Sequence, residues 1–377
     1  MIRICHIITG LYAHGAEHML LKLLSGLDRN RFEPRVISLM DKGTVGPAIE
    51  SMGIPVLTVD LPRGRPHPAG LWRLIQQVRG IQPHILQGWM YHGNLAASLA
   101  ARFVSGDPNV LWNIRQSLYD LDREKRLTRW LIQLSAKVSG SPDHIIYNSL
   151  TSASQHEALG FNANRRAFIP NGFGINDFSP DPSLRIRMRN EWGITDHQVV
   201  IGMAARHHPM KDHDNFLQAA ANLAERHDQV RFVLAGLNVD GQNAGLLQRI
   251  QDLQLEDRVR LLGELHDMNG FYQGLDIAAL SSAWGEGFPN VLGEAMLAGV
   301  PCVATDIGDS AALIGDTGIT VSARDAGALS TALSNLVEAG PHGRSSLGTR
   351  ARERILHSYS LPSIIEQYAN LYQSCVD

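Results

Sequence analysis

The chain has 377 residues, of which 44% are hydrophobic and 19% are charged, and its formal net charge at pH 7 is −3. This length exceeds what one ordinary hydrophobic core organises, so two domains are expected. The composition is typical of a globular α/β protein, and the slight acidity argues against a general nucleic-acid-binding protein, which needs a basic surplus.

We also expect that the protein is neither membrane-spanning nor disulfide-rich. No apolar run reaches the roughly 18 residues that a membrane helix needs, and the N-terminus leads directly into a strand, so we expect a cytoplasmic protein. Cys5, Cys302 and Cys375 are far apart and form no Cys-x-x-Cys pair. Neither a disulfide framework nor a zinc site is therefore predicted.

Short apolar runs alternate with helical periodicities along the first half of the chain. The runs predict strands at 2–8, 35–39, 56–59, 84–87, 110–113, 144–147 and 167–169. Helical spacing lies between them, for example at 16–27, 71–79 and 94–103. This alternation predicts βαβ units and a parallel sheet.

The same alternation restarts in the second half after a segment rich in turn residues at 171–182, which we interpret as an interdomain linker. The second set of predicted strands is 199–204, 231–235, 259–262, 277–280, 302–305 and 319–321. We therefore predict two doubly wound domains, at 1–175 and 185–358, followed by a C-terminal segment at 359–377. Ligands of such sheets bind at the carboxyl ends of the strands, so a cleft between the domains is the expected active site.

The segment from Glu286 to Glu294 has two carboxylates eight positions apart on a loop that enters a helix. Gly287 permits an unusual backbone angle, and Pro289 suits a helix entry because its missing N–H costs nothing there. The amides predicted to point out of this helix N-terminus are those of Phe288, Asn290, Val291 and Leu292. Such amides bind phosphate, and flanking carboxylates accept hydrogen bonds from sugar hydroxyls, so the segment predicts a sugar-nucleotide pocket.

Arg206 and Lys211 lie on the loop that follows the strand at 199–204. Two fixed cations at this position can neutralise a departing diphosphate without a metal. A rival pattern, Asp212-His-Asp214, is one by which some enzymes hold a divalent metal, although either aspartate also fits a helix N-cap. His207, His208 and His213 lack the spacing of a metal site, so no metal is expected.

The Glu-x7-Glu segment, its alanine-rich helix and the Gly-Val-Pro exit at 299–301 resemble retaining glycosyltransferases of family 4. The resemblance implies the GT-B architecture: two Rossmann-like domains facing a central cleft, the donor held mostly by the second, and a C-terminal helix that crosses back to the first in such proteins. It also implies that Arg206 and Lys211 hold the donor diphosphate, that Glu286 contacts the transferred sugar and that Glu294 binds the ribose.

Further donor contacts follow from the same resemblance. Gly15 opens the first helix in a segment similar to the Gly-Gly-Ala-Glu-Arg motif of the family, with His14 in place of the first glycine. Gly236 follows a strand of the second domain where relatives have a glycine-rich turn. Leu265 follows the next strand, where the family holds the nucleotide base by backbone contacts.

Candidate sugar or acceptor contacts lie at strand ends in the first domain. His92 and Asn94 follow the fourth strand, Arg115 and Gln116 follow the fifth, and Asn148 follows the sixth. Many relatives carry a histidine near Gln116, and a glutamine there could hydrogen-bond a sugar hydroxyl but could not shuttle a proton. The basic, partly apolar segment at 123–134 could also lie on an anionic membrane surface, or form an ordinary solvated helix face.

The sequence thus predicts a retaining, metal-independent glycosyltransferase that moves a sugar from a nucleotide diphosphate sugar, with UDP as the default, to a saccharide or lipid-linked acceptor. The nucleotide sugar is a substrate, and no cofactor, metal or nucleic-acid partner is expected. Three alternatives stay open: a sugar-nucleotide epimerase or hydrolase, a non-catalytic nucleotide-sugar binder, and a nicotinamide oxidoreductase, although the last lacks the Gly-x-Gly-x-x-Gly pattern.

Overall fold

The computed structural model describes residues 1–12, 15–62, 67–121 and 125–377. His14 and residues 123 and 124 of the basic segment, named above, lie outside these ranges. The chain divides into two compact units: unit 1 comprises Met1–Gly172 and Leu361–Asp377, and unit 2 comprises Phe173–Ser360.

Unit 1 contains a seven-stranded sheet of order β3-β2-β1-β4-β5-β6-β7, and all its pairings are parallel. Its strands are β1 (Ile2–Ile8), β2 (Phe32–Ser38), β3 (Val56–Thr58), β4 (Ile85–Trp89), β5 (Asn109–Ile114), β6 (His144–Tyr147) and β7 (Arg166–Phe168). Its first six helices are α1 (Gly15–Gly26), α2 (Gly46–Ser51), α3 (Pro68–Ile81), α4 (Met90–Ala101), α5 (Arg126–Val138) and α6 (Leu150–Ala158).

The strands of unit 1 are apolar on both faces because helices cover the sheet on both sides. In β1, for example, Ile4 belongs to the core on one face and Cys5 to the core on the other. Because β1 pairs with both β2 and β4, the chain reverses its direction of travel across the sheet between β1 and β4. Loops that leave these two strands therefore flank the topological switch point of this unit.

The last helix of the chain, α15 (Leu361–Ser374), belongs to unit 1. Its apolar residues recur at helical spacing, and Ile364, Tyr368 and Tyr372 are buried in the core against α1. The hydroxyl groups of both tyrosines are hydrogen-bonded, to Asn113 and to Gln87.

Unit 2 contains a six-stranded parallel sheet of order β10-β9-β8-β11-β12-β13. Its strands are β8 (Val199–Ala204), β9 (Val230–Ala235), β10 (Val259–Leu261), β11 (Ile277–Leu280), β12 (Cys302–Thr305) and β13 (Ile319–Val321). Its helices are α7 (Pro182–Glu191), α8 (His213–Ala224), α9 (Ala244–Asp252), α10 (Met268–Gly274), α11 (Asn290–Leu297), α12 (Ser310–Ile314), α13 (Ala326–Glu338) and α14 (Gly340–Ser358).

The predicted fold class is confirmed, because both units are doubly wound parallel α/β sheets. The alternation of apolar strands and amphipathic helices located all 13 strands, with ends that differ by a few residues: β2, for example, begins at Phe32 rather than at 35. The switch point of unit 2 lies between β8 and β11, so the loops after these strands have the position at which α/β sheets bind ligands. Within the described ranges, no helix is long and apolar enough to cross a membrane.

Candidate functional site

The loops that follow β8 and β11 bring Lys211 and Glu286 into contact, although 75 positions separate them in the chain. The Lys211 ammonium forms an ion pair with Glu286 Oε1. Both side chains are largely shielded from water, with 15% and 9% of the side-chain surface exposed. An ion pair at this depth is costly to break because either partner would be left as an uncompensated charge.

Hydroxyl groups hold these two loops against each other. Ser282 Oγ donates to Glu286 Oε1, the same atom that Lys211 contacts. Ser281 Oγ donates to the Lys211 carbonyl oxygen at 2.9 Å, and Thr305 Oγ1 donates to the Ser282 carbonyl oxygen at 2.7 Å. The backbone N–H of Ala283 donates to the Met210 carbonyl at 2.8 Å. The ion pair is thus fixed by backbone and side-chain contacts before any ligand arrives.

Arg206, the second predicted cation, lies at the start of the same loop. Its side chain is exposed, and it forms no ion pair or hydrogen bond to the part of the chain that the structure describes. Its backbone lies against Gly236, whose φ of +145° and close approach to the Ala205 carbonyl leave no room for a Cβ atom. The guanidinium group is therefore available to an anion, while the loop that carries it is packed.

The helix α11 begins at Asn290, and Pro289 occupies its N-cap position. Pro289 has no hydrogen-bonding side chain, so the N-cap residue itself makes no side-chain cap. Its approach loop is held at Gly287, whose carbonyl accepts from the Asp309 N–H at 2.9 Å. Gly308, at φ +65°, lies so close to this loop that a Cβ atom would meet the carbonyl oxygens of Glu286 and Gly287.

Two predicted residues near the start of α11, Phe288 and Leu292, are buried in the core of unit 2. The Phe288 ring packs at 6.1 Å from Phe173 and 5.6 Å from Tyr359, measured between ring centroids. The side chains of Phe288 and Leu292 anchor the helix in the core, so a ligand at these positions would contact their backbone atoms. Pro289 is also buried, Val291 is partly buried, and Asn290 is exposed.

Glu294 is partly buried and accepts a hydrogen bond from the Tyr272 hydroxyl at 3.0 Å. Burial, and then the neighbouring Glu294 carboxylate, raise the pKa of Tyr272 well above its usual value. The phenol is therefore a permanent donor that orients one carboxylate oxygen of Glu294. Sequence reasoning missed Tyr272, because nothing in the local pattern of α10 indicates which side chain it faces.

Asp212 is the N-cap of α8, with its Oδ1 accepting from the Asn215 N–H at 3.3 Å. The N-cap interpretation of the Asp212-His-Asp214 pattern is thus confirmed for Asp212. No group of three or more His, Cys, Asp or Glu side chains among the described residues has the arrangement of a metal site.

Two more predicted donor positions, Gly15 and Leu265, lie after strands of the two sheets. Gly15 is the first residue of α1 and is exposed, and a Cβ atom there would meet nothing within 4 Å. Leu265 lies on the loop between β10 and α10 and is half-buried against the core of unit 2. Gly15 lies after β1, at the switch point of unit 1.

Three of the predicted acceptor contacts form a polar network inside unit 1. Arg115 donates to Asn113 Oδ1 at 3.2 Å, to the Tyr368 hydroxyl at 3.1 Å and to Asn171 Oδ1. Asn148 is nearly fully buried and donates to the same Asn171 oxygen at 3.2 Å. Burial lowers the pKa of Arg115, an effect that its Tyr368 neighbour opposes.

Asn94 is fully buried within α4, where its Oδ1 accepts from the Asn113 N–H at 3.1 Å. His92, two residues earlier, is exposed, although partial desolvation lowers its pKa. Gln116 is half-buried, and its carbonyl accepts from Ser152 Oγ at 2.6 Å. His92 and Gln116 therefore have surface available to a ligand, whereas Asn94 has none.

These observations define a class of fold: two Rossmann-like units, each with polar residues at its switch point, form an α/β protein of the GT-B type. Solved structures share this fold over the whole chain. HepE of Anabaena in complex with UDP superposes with a TM-score of 0.83 at 22% identity, over 99% of this chain and 100% of that one. The complex of HepE with UDP-glucose gives a TM-score of 0.80.

Family comparisons are more specific. The model described as Glycosyltransferase Family 4 matches residues 13–176, and the model described as Glycosyl transferases group 1 matches residues 198–339. Together the two models match most of the chain, so the chain belongs to these glycosyltransferases, as the resemblance to family 4 predicted.

Curated relatives match shorter stretches. The putative glycosyltransferase EpsF of Bacillus subtilis is 32% identical over 37% of this chain and 35% of its own length. The N-acetyl-alpha-D-glucosaminyl L-malate synthase of Bacillus anthracis is 30% identical over 49% of this chain and 48% of its own. The chain therefore spans no more than about half of the length of these relatives.

Proposed function

We propose that the protein transfers a sugar from a UDP-sugar to a hydroxyl group of a saccharide or lipid-linked acceptor, with retention of anomeric configuration and without a metal ion. The observation that carries the proposal is the buried Lys211–Glu286 ion pair on the loops at the switch point of unit 2, the second of which leads into the N-terminus of α11. Together with the exposed Arg206, this arrangement offers two cations and a helix N-terminus to a diphosphate.

The proposed chemistry needs charge stabilisation where the leaving group departs. The bond between C1 of the sugar and the β-phosphate oxygen breaks, and both electrons leave with UDP. Arg206, Lys211 and the first amides of α11 stabilise the negative charge that develops. The acceptor oxygen then bonds to C1 on the face that UDP vacates, and its proton passes to the departing phosphate oxygen.

Glu286 and Glu294 have different proposed roles. Glu286 is held by Lys211 and Ser282 through one of its oxygens, and it would accept a hydrogen bond from the transferred sugar. Glu294 is oriented by Tyr272 and would accept from the ribose hydroxyls. The structures of HepE with UDP and with UDP-glucose support UDP as the first nucleotide to test.

A thermal-shift panel tests the donor half of this proposal. UDP, UDP-glucose, GDP and ADP are each added with and without EDTA to the wild type, to Arg206→Gln and to Glu294→Gln. A ligand at 100 times its dissociation constant stabilises the folded protein by about 2.7 kcal/mol, which raises the melting temperature measurably. We expect a shift with UDP that EDTA leaves unchanged and that both substitutions reduce.

Absence of a shift with every nucleotide would overturn the donor site, and an EDTA-sensitive shift would overturn metal independence. Glu294→Gln keeps an acceptor for the Tyr272 hydroxyl, so a loss of binding reports on the ligand rather than on the fold. Retention is tested separately by proton NMR of the product formed from UDP-α-glucose, in which an α-linked product is expected and a β-linked product contradicts the proposal.

The proposal includes a cytoplasmic location with contact at the inner membrane surface. The three cysteines are free thiols, which is usual in a reducing compartment. On α5, Leu127 and Trp130 are exposed, one turn apart, beside the exposed Arg126. An exposed apolar pair next to a cation is typical of a helix that lies on an anionic membrane.

Vesicle co-sedimentation tests the membrane contact. We expect binding to vesicles that contain phosphatidylglycerol, weaker binding to pure phosphatidylcholine, and a loss of binding in Leu127→Gln/Trp130→Gln. Trp72→Gln is the matched control, because Trp72 is equally exposed but lies on α3. Equal sedimentation of the double variant and the wild type would refute this contact.

A further inference from the structure

Unit 2 contains a cavity of about 510 Å³ beside the loop that carries Lys211. This volume lies within the range of small-molecule sites. The cavity is lined by His207, His208, Pro209, Asp212, His213, Asp214, Asn215, Trp284 and Arg324. Arg206, Lys211, Glu286 and Glu294 do not line it, so it is distinct from the proposed donor pocket.

Two buried polar side chains in its wall have groups without partners. His213 is 4% exposed, and neither of its ring nitrogens has a hydrogen-bond partner in the described part of the chain. The Ala205 carbonyl raises the pKa of the His213 ring, but it does not meet the geometry of a hydrogen bond with either ring nitrogen. Asn215 is 8% exposed, and its Nδ2 is likewise without a partner there. Because buried polar groups are normally satisfied, these atoms point to a ligand that supplies hydrogen-bonding groups.

A further wall of the cavity is an aromatic ring with a stacked cation. The Arg324 guanidinium lies over the Trp284 ring, 5.4 Å from its centroid. Arg324 has a φ of +59°, a conformation that non-glycine residues rarely adopt. Such a strained residue persists only where its surroundings hold it, and it occurs often at functional sites.

The charges around the cavity disfavour an ionic ligand. The carboxylates of Asp212 and Asp214 would repel an anion, and the Arg324 guanidinium would repel a cation. No group of three or more His, Cys, Asp or Glu side chains in the described ranges is arranged to hold a metal ion. What remains is a neutral ligand that both donates and accepts hydrogen bonds and that has an apolar face for the indole.

We infer that this cavity is a second saccharide-binding site, distinct from the donor pocket and occupied by a neutral glycan. The sugar hydroxyls accept from Asn215 Nδ2, exchange hydrogen bonds with His213 and donate to Asp212, while a C–H face of the ring packs on Trp284. Because it lies on the loop of Lys211, the site is suited to hold a remote unit of a glycan acceptor or product. This role rests on the proposed function, whereas the binding itself does not.

Saturation-transfer NMR with maltotriose and triacetylchitotriose tests the site on the full chain. The variants are Asn215→Leu, Trp284→Leu and Arg324→Gln, and Arg260→Gln is the matched control, an exposed arginine on the edge strand β10. We expect at least one of the two saccharides to bind the wild type. The three cavity variants should bind it roughly tenfold more weakly, a loss of about 1.4 kcal/mol, and the control should bind it normally.

Three outcomes would overturn the inference. These are no transfer signal from either saccharide, a signal that all three cavity variants retain, and binding of inorganic phosphate or Mn²⁺ that the variants abolish in place of saccharide binding. Arg324 is exposed, so its substitution leaves the core intact even if Asn215→Leu unfolds the protein.

The UDP thermal shift of the same samples separates the two proposals. A preserved UDP shift with no saccharide binding refutes only the second site. Saccharide binding at the cavity without any UDP shift refutes only the donor site.

Discussion

The candidate residues of unit 2 and those of unit 1 differ in the contacts that they make in the folded chain. In unit 2, Lys211 and Glu286 converge from distant loops on one shielded ion pair, and Arg206 stays exposed beside them. In unit 1, Arg115, Asn94 Oδ1 and Asn148 Nδ2 form hydrogen bonds with other residues of the same unit, whereas Asn94 Nδ2 and Asn148 Oδ1 have no partner among the described residues. Both sets lie at strand ends, so position in the sheet does not by itself distinguish a ligand contact from a structural one.

What distinguishes them is how their polar groups are used. Arg115 is satisfied by three oxygens from β5, the linker and α15, whereas no described residue pairs with Arg206. We therefore expect Arg206 to bind a ligand and Arg115 to stabilise unit 1. The predictions below test this contrast.

The largest effect is expected for Lys211→Met. Loss of one cation at the leaving group should lower the turnover rate about 10³-fold, and the buried Glu286 charge left behind should lower the free energy of unfolding by about 3–5 kcal/mol. Lys42→Met is the matched control, since Lys42 pairs with Glu50 at 2.6 Å on the exposed surface of unit 1. That pair should contribute about 1 kcal/mol or less.

Denaturant unfolding and steady-state transfer kinetics measure both variants. Lys211→Arg keeps the charge and should recover most of the stability, which separates the electrostatic role from misfolding. Equal losses in Lys211→Met and Lys42→Met would contradict the special role of the buried pair.

Arg206→Gln should reduce turnover about 100-fold while leaving the melting temperature nearly unchanged. The reason is that its guanidinium is exposed and makes no hydrogen bond or ion pair to the described residues, so the folded state loses little with it. Arg260→Gln serves as the exposed-arginine control. A fall in stability that matches the fall in activity would show that Arg206 is structural.

Arg115→Met tests the opposite assignment. Its hydrogen bonds to Asn113, Asn171 and Tyr368 tie α15 to unit 1, so their loss should cost about 2 kcal/mol. Hydrogen exchange should accelerate in α15, and the UDP thermal shift should persist. Unchanged exchange together with a loss of transfer activity would restore Arg115 as a direct acceptor contact.

The pH dependence of stability follows from three buried histidines. Burial lowers the pKa of His6 to about 3, and that of His156 and His213 to about 4. Below the unfolded value of about 6.5, the unfolded chain binds protons that the folded protein does not. Stability should therefore be unaffected by these groups above pH 6.5 and fall between pH 6.5 and 4, by about 1.4 kcal/mol per pH unit for each histidine.

Urea unfolding at several pH values checks this dependence. His213→Leu should reduce the slope of the unfolding free energy against pH, between pH 6.5 and 4, by about 1.4 kcal/mol per pH unit. His197→Leu, at an exposed position of the same unit, should leave it unchanged. Identical slopes in wild type and His213→Leu would rule out His213 as a source of the acid sensitivity.

The sequence predicted the fold well because strands and helices depend on patterns that extend over only a few residues. Apolar runs of strand length, with helical spacing between them, located the strands of both sheets in the described residues, and the predicted family is the one that the family models match. Strand ends were less accurate, as in β4, which continues to Trp89 because that residue still pairs with Asn113 of the next strand.

Other features depended on contacts between distant parts of the chain. Trp284 and Arg324 enclose one cavity, and Tyr272 meets Glu294, yet no local pattern relates the members of either pair. Asn94 has a polar side chain at a strand end, as a ligand contact would, but α4 buries it against Asn113. Whether a polar group is buried and satisfied depends on which elements pack on it.

The sequence by itself therefore determined the two parallel α/β units, the family and the loops on which the proposed donor residues lie. It could do so because hydrophobic periodicity, turn residues and a short motif act over a few residues. Only the tertiary structure decided that Lys211 pairs with Glu286, that Arg115 bonds to Asn113, Tyr368 and Asn171, and that a polar cavity lies beside the Lys211 loop. These depend on strand order and on crossover connections, which bring residues together across distances that no local pattern spans.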